Sequence, residues 1–135
     1  MKITADTNVL LRAVLDDDEA QQQVAIETLE SAAIVAISVQ SLCEFVWVLD
    51  RGYKTPRADI AAAVRRLLDM RNAVANRPAV EAGLRVLDAG GDFADGVIAY
   101  DGNWLGGETF VSFDKKAVSL IAGQGQQTRL LASPK

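Results

Sequence analysis

Apolar positions fall into two kinds of run, a period near 3.6 residues and short continuous stretches, and the alternation of the two predicts the elements. Lys2-Ile3-Thr4-Ala5 reads as a first strand ending near Asp6, and Val9, Leu10, Leu11 and Val14 carry it into a helix. Gln21 to Ser31 is helical, with Val24, Ala25, Thr28, Leu29 and Ala32 at helical spacing. Ala33 to Ile37 is an unbroken apolar run, suited to a buried parallel strand. Ser38 is placed to cap the next helix, which runs to about Asp50 and ends at Arg51-Gly52. Thr55-Pro56 restarts a helix, with Thr as the cap, Pro at the first helical position, and Ile60, Val64, Leu67 and Leu68 on the buried face.

The second half repeats the alternation. "NAVAN" is a candidate short strand, Pro78 to Leu87 a helix stopped by "AGG", and Phe93 to Leu105 a helix with Val97, Ile98 and Leu105 inward. Thr109 to Phe113 alternates β-branched and aromatic residues, as a strand does. Lys115 to Ile121 is a short helix and Thr128 to Leu131 a last strand. Helices alternating with short strands indicate an α/β layer fold with a mostly parallel sheet. With no linker, repeat or low-complexity tract, a single domain over residues 1–135 is expected.

Composition narrows the chemistry. The chain contains no histidine and one cysteine, Cys43. That removes the usual Ser-His-Asp and Cys-His designs and nearly all zinc sites. A lone cysteine also forms no internal disulfide, so a reducing cytoplasm is expected. The longest uncharged run, Ser31 to Cys43, is too short to cross a bilayer, and the start of the chain does not read as a secretory leader. Any catalysis must rest on carboxylates, lysines, hydroxyls or a hard metal ion.

The acids divide by position. In an open parallel sheet the carboxyl ends of strands share an edge where sites form, and Asp6 and Asp114 each follow a predicted strand. Taken singly, each is better read as a helix cap, since Asp is a favoured N-cap; both at one expected edge raises the functional reading. Asp92 and Asp95 likewise fit the cap and first turn of a helix, where the dipole favours acids. Glu44 differs, because "SLCEFVWVL" surrounds it with apolar residues. A carboxylate buried there needs a partner, a metal or a raised pKa. Ser41 would make Glu44 part of a capping box, but Ser38 is the better cap and leaves Glu44 in the second turn. Asp16, Asp17, Asp18 and Glu19 read as a solvated loop and helix start. Carboxylates without histidine suit Mg²⁺ or Mn²⁺, ions that hold phosphates and activate water.

Four segments in order, "ADTNVLLR", the helix around Glu44, "DFADGVIA" and "TFVSFDKKAV", resemble the PIN domain in the form seen in VapC toxins, from Ile3 to about Leu131. The resemblance implies a three-layer α/β/α fold with a central, mostly parallel sheet and an Mg²⁺- or Mn²⁺-dependent endoribonuclease. It implies that Asp6, Glu44, Asp95 and Asp114 are the catalytic metal ligands, with Asp92 an auxiliary acid or cap. Asn8 and Ser112 match polar positions that orient ligands or water. It also implies RNA as substrate, a cognate VapB-like antitoxin as partner, and a homodimer. Two departures stand out: Gly96 where the family usually has Ala, and Asp101-Gly102-Asn103, which is expected to interrupt the helix.

Net charge is −4, which argues weakly against a nucleic-acid partner. Without the four proposed ligands, 14 basic residues face 14 acidic ones. Arg12 and Lys115, next to the acid motifs, are the favoured RNA contacts. Closely spaced carboxylates repel, so without metal some should titrate high. Two other classes fit less well. A receiver-like phosphoacceptor wants an acidic pair after the first strand, where only Asp6 stands, and a dehalogenase-like phosphatase wants a second Asp where Asn8 stands. A PIN fold acting only by binding is the third alternative.

Overall fold

Three short segments that put Ile3, Val35 and Ala73 at their centres or starts pair side by side. They are β1 (Lys2–Thr4), β2 (Ile34–Ala36) and β3 (Ala73–Val74), parallel and in the order β1-β2-β3, with Ile3 opposite Val35 and Val35 opposite Ala73. Parallel neighbours need long crossovers, and helices supply them. The computed structural model describes residues 1–134 and divides the chain into two units, Met1–Asn76 and the segment from Arg77 on.

In the N-terminal unit, α1 (Thr7–Val14) and α2 (Glu19–Ser31) connect β1 to β2, and α3 (Val39–Trp47) and α4 (Arg57–Asp69) connect β2 to β3. Asn72 donates through Nδ2 to the carbonyls of Leu29 and Ala32, both at 2.8 Å, tying the approach to β3 onto the end of α2. Only Ala25, Leu29 and Ala32 of the predicted α2 stripe are buried. Val24 and Thr28, one helical position away, instead line a groove with Asn8, Val9 and Arg12 of α1. Ser38 caps α3 as expected, accepting from the Ser41 amide at 3.1 Å. The α-helix stops at Trp47 and continues as a π-helical turn, Val48–Gly52. Thr55 does not cap α4. Its amide is held by the Leu49 carbonyl at 2.9 Å in the preceding turn, so Pro56 becomes the cap residue and the helix starts at Arg57.

The C-terminal unit holds α5 (Arg77–Asp88), α6 (Phe93–Trp104), β4 (Thr109–Ser112), α7 (Lys115–Gly123) and β5 (Gln127–Leu130). β4 and β5 are parallel, with Phe110 opposite Thr128. Val86, Ala99 and Ile121 form a buried cluster against which Phe110 and Leu120 pack. Every recorded strand pairing is therefore parallel and bridged by helix, the expected α/β class.

Gly96 has a packing reason. A methyl built there would lie 2.8 Å from the Gly83 Cα and closer still to the Ala82 carbonyl oxygen, so the missing side chain lets α6 lie directly on the α5 backbone. Gly83 in turn accommodates the ring of Phe93. The expected interruption at Asp101-Gly102-Asn103 does not occur, since α6 runs on to Trp104. A helical glycine costs about 1 kcal/mol, too little to break a helix already docked along its length. The stop comes at Gly106, whose φ of 104° is in the left-handed region. Of the three residues expected inward on α6, only Val97 is; Ile98 is 58% and Leu105 89% exposed. The α5 contact is made by the small residues Gly96 and Ala99, which turns the larger Ile98 outward.

Candidate functional site

Each strand-end aspartate starts a helix and spends one oxygen doing so. Asp6 caps α1 by accepting from the Thr7 amide on Oδ1 at 2.9 Å. Asp114 caps α7 by accepting from the amides of Lys116 and Ala117, again on Oδ1, at 2.9 and 3.1 Å. Asp92 caps α6 by accepting from the Ala94 amide on Oδ1 at 3.1 Å. An ionised carboxylate accepts on both oxygens. Capping therefore leaves Oδ2 of all three open, and the structural and ligand roles are compatible. Ser112 fixes the approach to Asp114, its Oγ accepting from the Asp114 amide at 3.0 Å.

Asp95 is not a cap. It lies in the first turn of α6, half-buried, and its carboxylate has no hydrogen-bond or ion-pair partner among the described residues. Its pKa is raised, chiefly by burial and then by the negative charges of Asp92 and Asp114. The C-terminal unit thus brings Asp92, Asp95 and Asp114 within electrostatic reach of one another, and the expected high titration of a crowded acid falls on Asp95.

The N-terminal acids are placed differently. Glu44 is exposed, which corrects the expectation that its helix buries it. Leu42, Phe45, Val46 and Leu49 take the inner face of the segment, and Glu44 shares the outer one with Trp47, itself 61% exposed. The apolar letters around Glu44 ring the helix, but only half of them point inward. Asn8 is exposed, faces the α1–α2 groove, and makes no hydrogen bond to Asp6 among the described residues.

Arg12 already has partners within the N-terminal unit. Its guanidinium donates to Asp17 Oδ1 at 2.8 Å and Oδ2 at 3.4 Å, and to the Tyr53 hydroxyl at 3.3 Å. Tyr53 donates to Asp17 Oδ2 at 3.2 Å. The contact to Asp17 holds Arg12 above its usual range. Burial pushes Asp17 up, but the Arg12 hydrogen bond and charge, with Tyr53, outweigh it and leave Asp17 below its usual range. This triad was missed in the sequence because Tyr53 lies 41 residues from Arg12 and reaches it from just beyond the π turn. Lys115, the first residue of α7, is exposed beside Asp114.

Among the described residues no three His, Cys, Asp or Glu side chains are grouped closely enough to enclose an ion. The donor chemistry nonetheless suits a hard divalent cation, which is held through one or two carboxylates and keeps several waters. Asp95, crowded by two negative charges and lacking a counter-ion, is the acid that gains most from one. No described helix is long and apolar enough to cross a membrane.

A search of curated proteins finds no significant match. The PIN domain family, by contrast, matches residues 3–118, from β1 into α7 and across all the candidate acids. The parallel strands, the helical crossovers and this match agree: the chain belongs to the PIN domain family, whose members are generally nucleases.

Proposed function

We propose that this protein is an Mg²⁺- or Mn²⁺-dependent endoribonuclease, working as one PIN-like domain over residues 1–135 and serving as the toxin of a VapBC-type pair in the cytoplasm. The observation that carries the reading is Asp95: half-buried, unpaired among the described residues, and raised in pKa by burial and by Asp92 and Asp114. A half-buried acid without a partner, beside two others, marks a candidate cation site, although its place in the first turn of α6 also favours a negative charge. The family match supports it, since PIN nucleases typically use divalent metals.

We assign Asp6, Glu44, Asp95 and Asp114 as the catalytic acids and metal ligands. When bound, the ion supplies a water of lowered pKa and counter-charge for the phosphodiester. Asp6 and Asp114 offer the oxygen that capping leaves open, and Glu44 offers a solvent-facing carboxylate. Asp92 holds the start of α6, and Ser112 holds the backbone of Asp114. Asn8 orients ligands or water, and Lys115 steers substrate phosphate. The toxin reading adds a VapB-like antitoxin and a homodimer as partners, on the resemblance.

The test is cleavage of RNA by the purified chain with Mg²⁺, Mn²⁺ or EDTA, wild type beside Asp6→Asn, Asp95→Asn and the double variant. Cleavage with metal, none in EDTA and none by the variants is the expected result. Metal-independent cleavage, or full activity in the double variant, overturns it. Growth arrest on expression in a bacterial host, relieved by Asp95→Asn, tests the toxin role.

A further inference from the structure

One cavity of the C-terminal unit combines a buried apolar lining with polar walls that carry no carboxylate. It encloses about 290 Å³ between α5, α6 and the turn from α7 into β5. That is near the lower edge of the roughly 300–1,000 Å³ typical of small-ligand sites. Its buried lining is apolar, made by Ala82, Gly96, Ala99 and Ile121. Its walls carry Arg85, Tyr100, Asn103, Gln124 and Gln126. In a chain of net charge −4, no carboxylate lines it.

Of the polar wall, Arg85, Asn103 and Gln124 are exposed and Gln126 is half-buried, so all can be reached from solvent. Among the described residues the Arg85 guanidinium has no ion-pair or hydrogen-bond partner, and neither do the side-chain amides of Asn103, Gln124 and Gln126. A guanidinium only donates, and it matches a phosphate in forked geometry. Carboxamides both donate and accept, which matches the edges of a nucleobase. The Trp104 indole N–H donates at 2.7 Å to the hydroxyl of Tyr100, one of the lining residues, linking the two rings. Trp104 is nevertheless 76% exposed. A large aromatic held in place yet left bare is a stacking surface for an unpaired base.

We propose that this cavity is a binding subsite for one nucleotide of single-stranded RNA, with its phosphate on Arg85, its base edge on the amides and a neighbouring base on Trp104. The assignment deepens the ribonuclease reading and rests on it. A strand is favoured over a free nucleotide because the lining continues along α6 from the residue after Asp95. Asn103 lies eight residues beyond Asp95 in sequence, about 12 Å along the helix. A strand held here is fixed a few nucleotides from the acid, so the subsite sets which bond is presented for cleavage.

The experiment uses the full chain and short single-stranded RNA oligonucleotides. Binding is followed in EDTA by the fluorescence anisotropy of an end-labelled oligonucleotide, and contact with Trp104 in the otherwise unaltered chain through its own fluorescence in a Trp47→Phe background. Cleavage is followed with Mg²⁺ or Mn²⁺. The expected results are saturable quenching, about tenfold or more weaker binding in Arg85→Ala and Trp104→Ala, and partial recovery in Arg85→Lys. In cleavage, Arg85→Ala and Asn103→Ala raise KM and leave kcat in place, whereas Asp95→Asn abolishes kcat. Wild type that cleaves RNA with KM unchanged in both cavity variants overturns the subsite and leaves the nuclease reading standing. RNA that binds through Arg85 but is never cleaved with any metal overturns the nuclease reading and keeps the cavity as an RNA site. A mononucleotide that binds as tightly as the oligonucleotide overturns the strand assignment.

Discussion

The two units treat a partly screened aspartate in opposite ways. In the N-terminal unit Asp17 sits against Arg12 and Tyr53, and its pKa falls. In the C-terminal unit Asp95 is half-buried near Asp92 and Asp114, and burial first, then their charges, raise its pKa. The same side chain stabilises the fold in one place and strains it in the other. The first is a tether between α1 and the segment after the π turn; the second is a charge awaiting a counter-ion. Burial pushes both upward; at Asp17 the neighbouring cation and hydroxyl reverse the push, and at Asp95 the neighbouring acids add to it.

The largest effect expected is on activity. Asp95→Asn or Asp114→Asn should reduce RNA cleavage by at least about a hundredfold, more than losses at outer-shell metal residues, with circular dichroism unchanged. Asp17→Asn should leave cleavage per folded molecule as in wild type. An equal loss from Asp17→Asn would erase the distinction between tether and site.

Next comes the packing that holds Asp95 in place. Gly96→Ala gains about 1 kcal/mol in helix propensity. It also drives a methyl into the α5 backbone at Ala82 and Gly83, where overpacking costs about 1–3 kcal/mol or more. Steric cost wins because backbone is slow to yield, so urea denaturation should show net destabilisation. A more stable variant would mean that α6 is free to shift.

The tether has a pH signature. Because the folded-state pKa of Asp17 is lowered, its contribution is present above the ordinary carboxylate range and is lost as pH falls through the lowered value. Asp17→Asn should therefore melt below wild type at neutral pH, and the gap should close in acid.

The smallest effect has the opposite sign. The pKa of Asp95 is raised, so its favourable contribution exists below the ordinary carboxylate range and is lost as pH rises through the raised value. In EDTA at pH 7, Asp95→Asn should stabilise the chain by about a few tenths of a kcal/mol, solvent screening being considerable at a half-exposed site. Added Mg²⁺ should then raise the melting temperature of wild type more than that of the variant. A destabilised Asp95→Asn at pH 7 would make this acid a structural one.

Much of this was legible in the sequence; the exceptions are the cap of α4, the unbroken run of α6 and, chiefly, which helix faces turn inward. The strands and α-helices of the described residues, Ser38 as a cap and the starts of α6 and α7 follow from local rules, because capping and periodicity depend on neighbours within one turn. Asp6, Asp92 and Asp114 were readable as caps on the same grounds. Which face of a helix turns inward is not local. Glu44 was expected inside and lies outside, and Ile98 and Leu105 were expected inside and are bare. In each case the helix contact is chosen by what lies opposite, and small residues at Gly96 and Ala99 outweigh larger apolar ones nearby. Gly96, an oddity in the sequence, became a close helix contact only in three dimensions.

By itself, then, the sequence determined the order of elements, the parallel α/β class, the exclusion of histidine chemistry and the list of acids. Those rest on composition and short-range geometry. Only the tertiary structure decided that Arg12 is bound to Asp17 and Tyr53, that Asp95 is half-buried near two other acids, and that Arg85 lines an acid-free cavity. Those are matters of distance between residues far apart in the chain, and Coulomb energy and burial depend on that distance and on nothing the local sequence records.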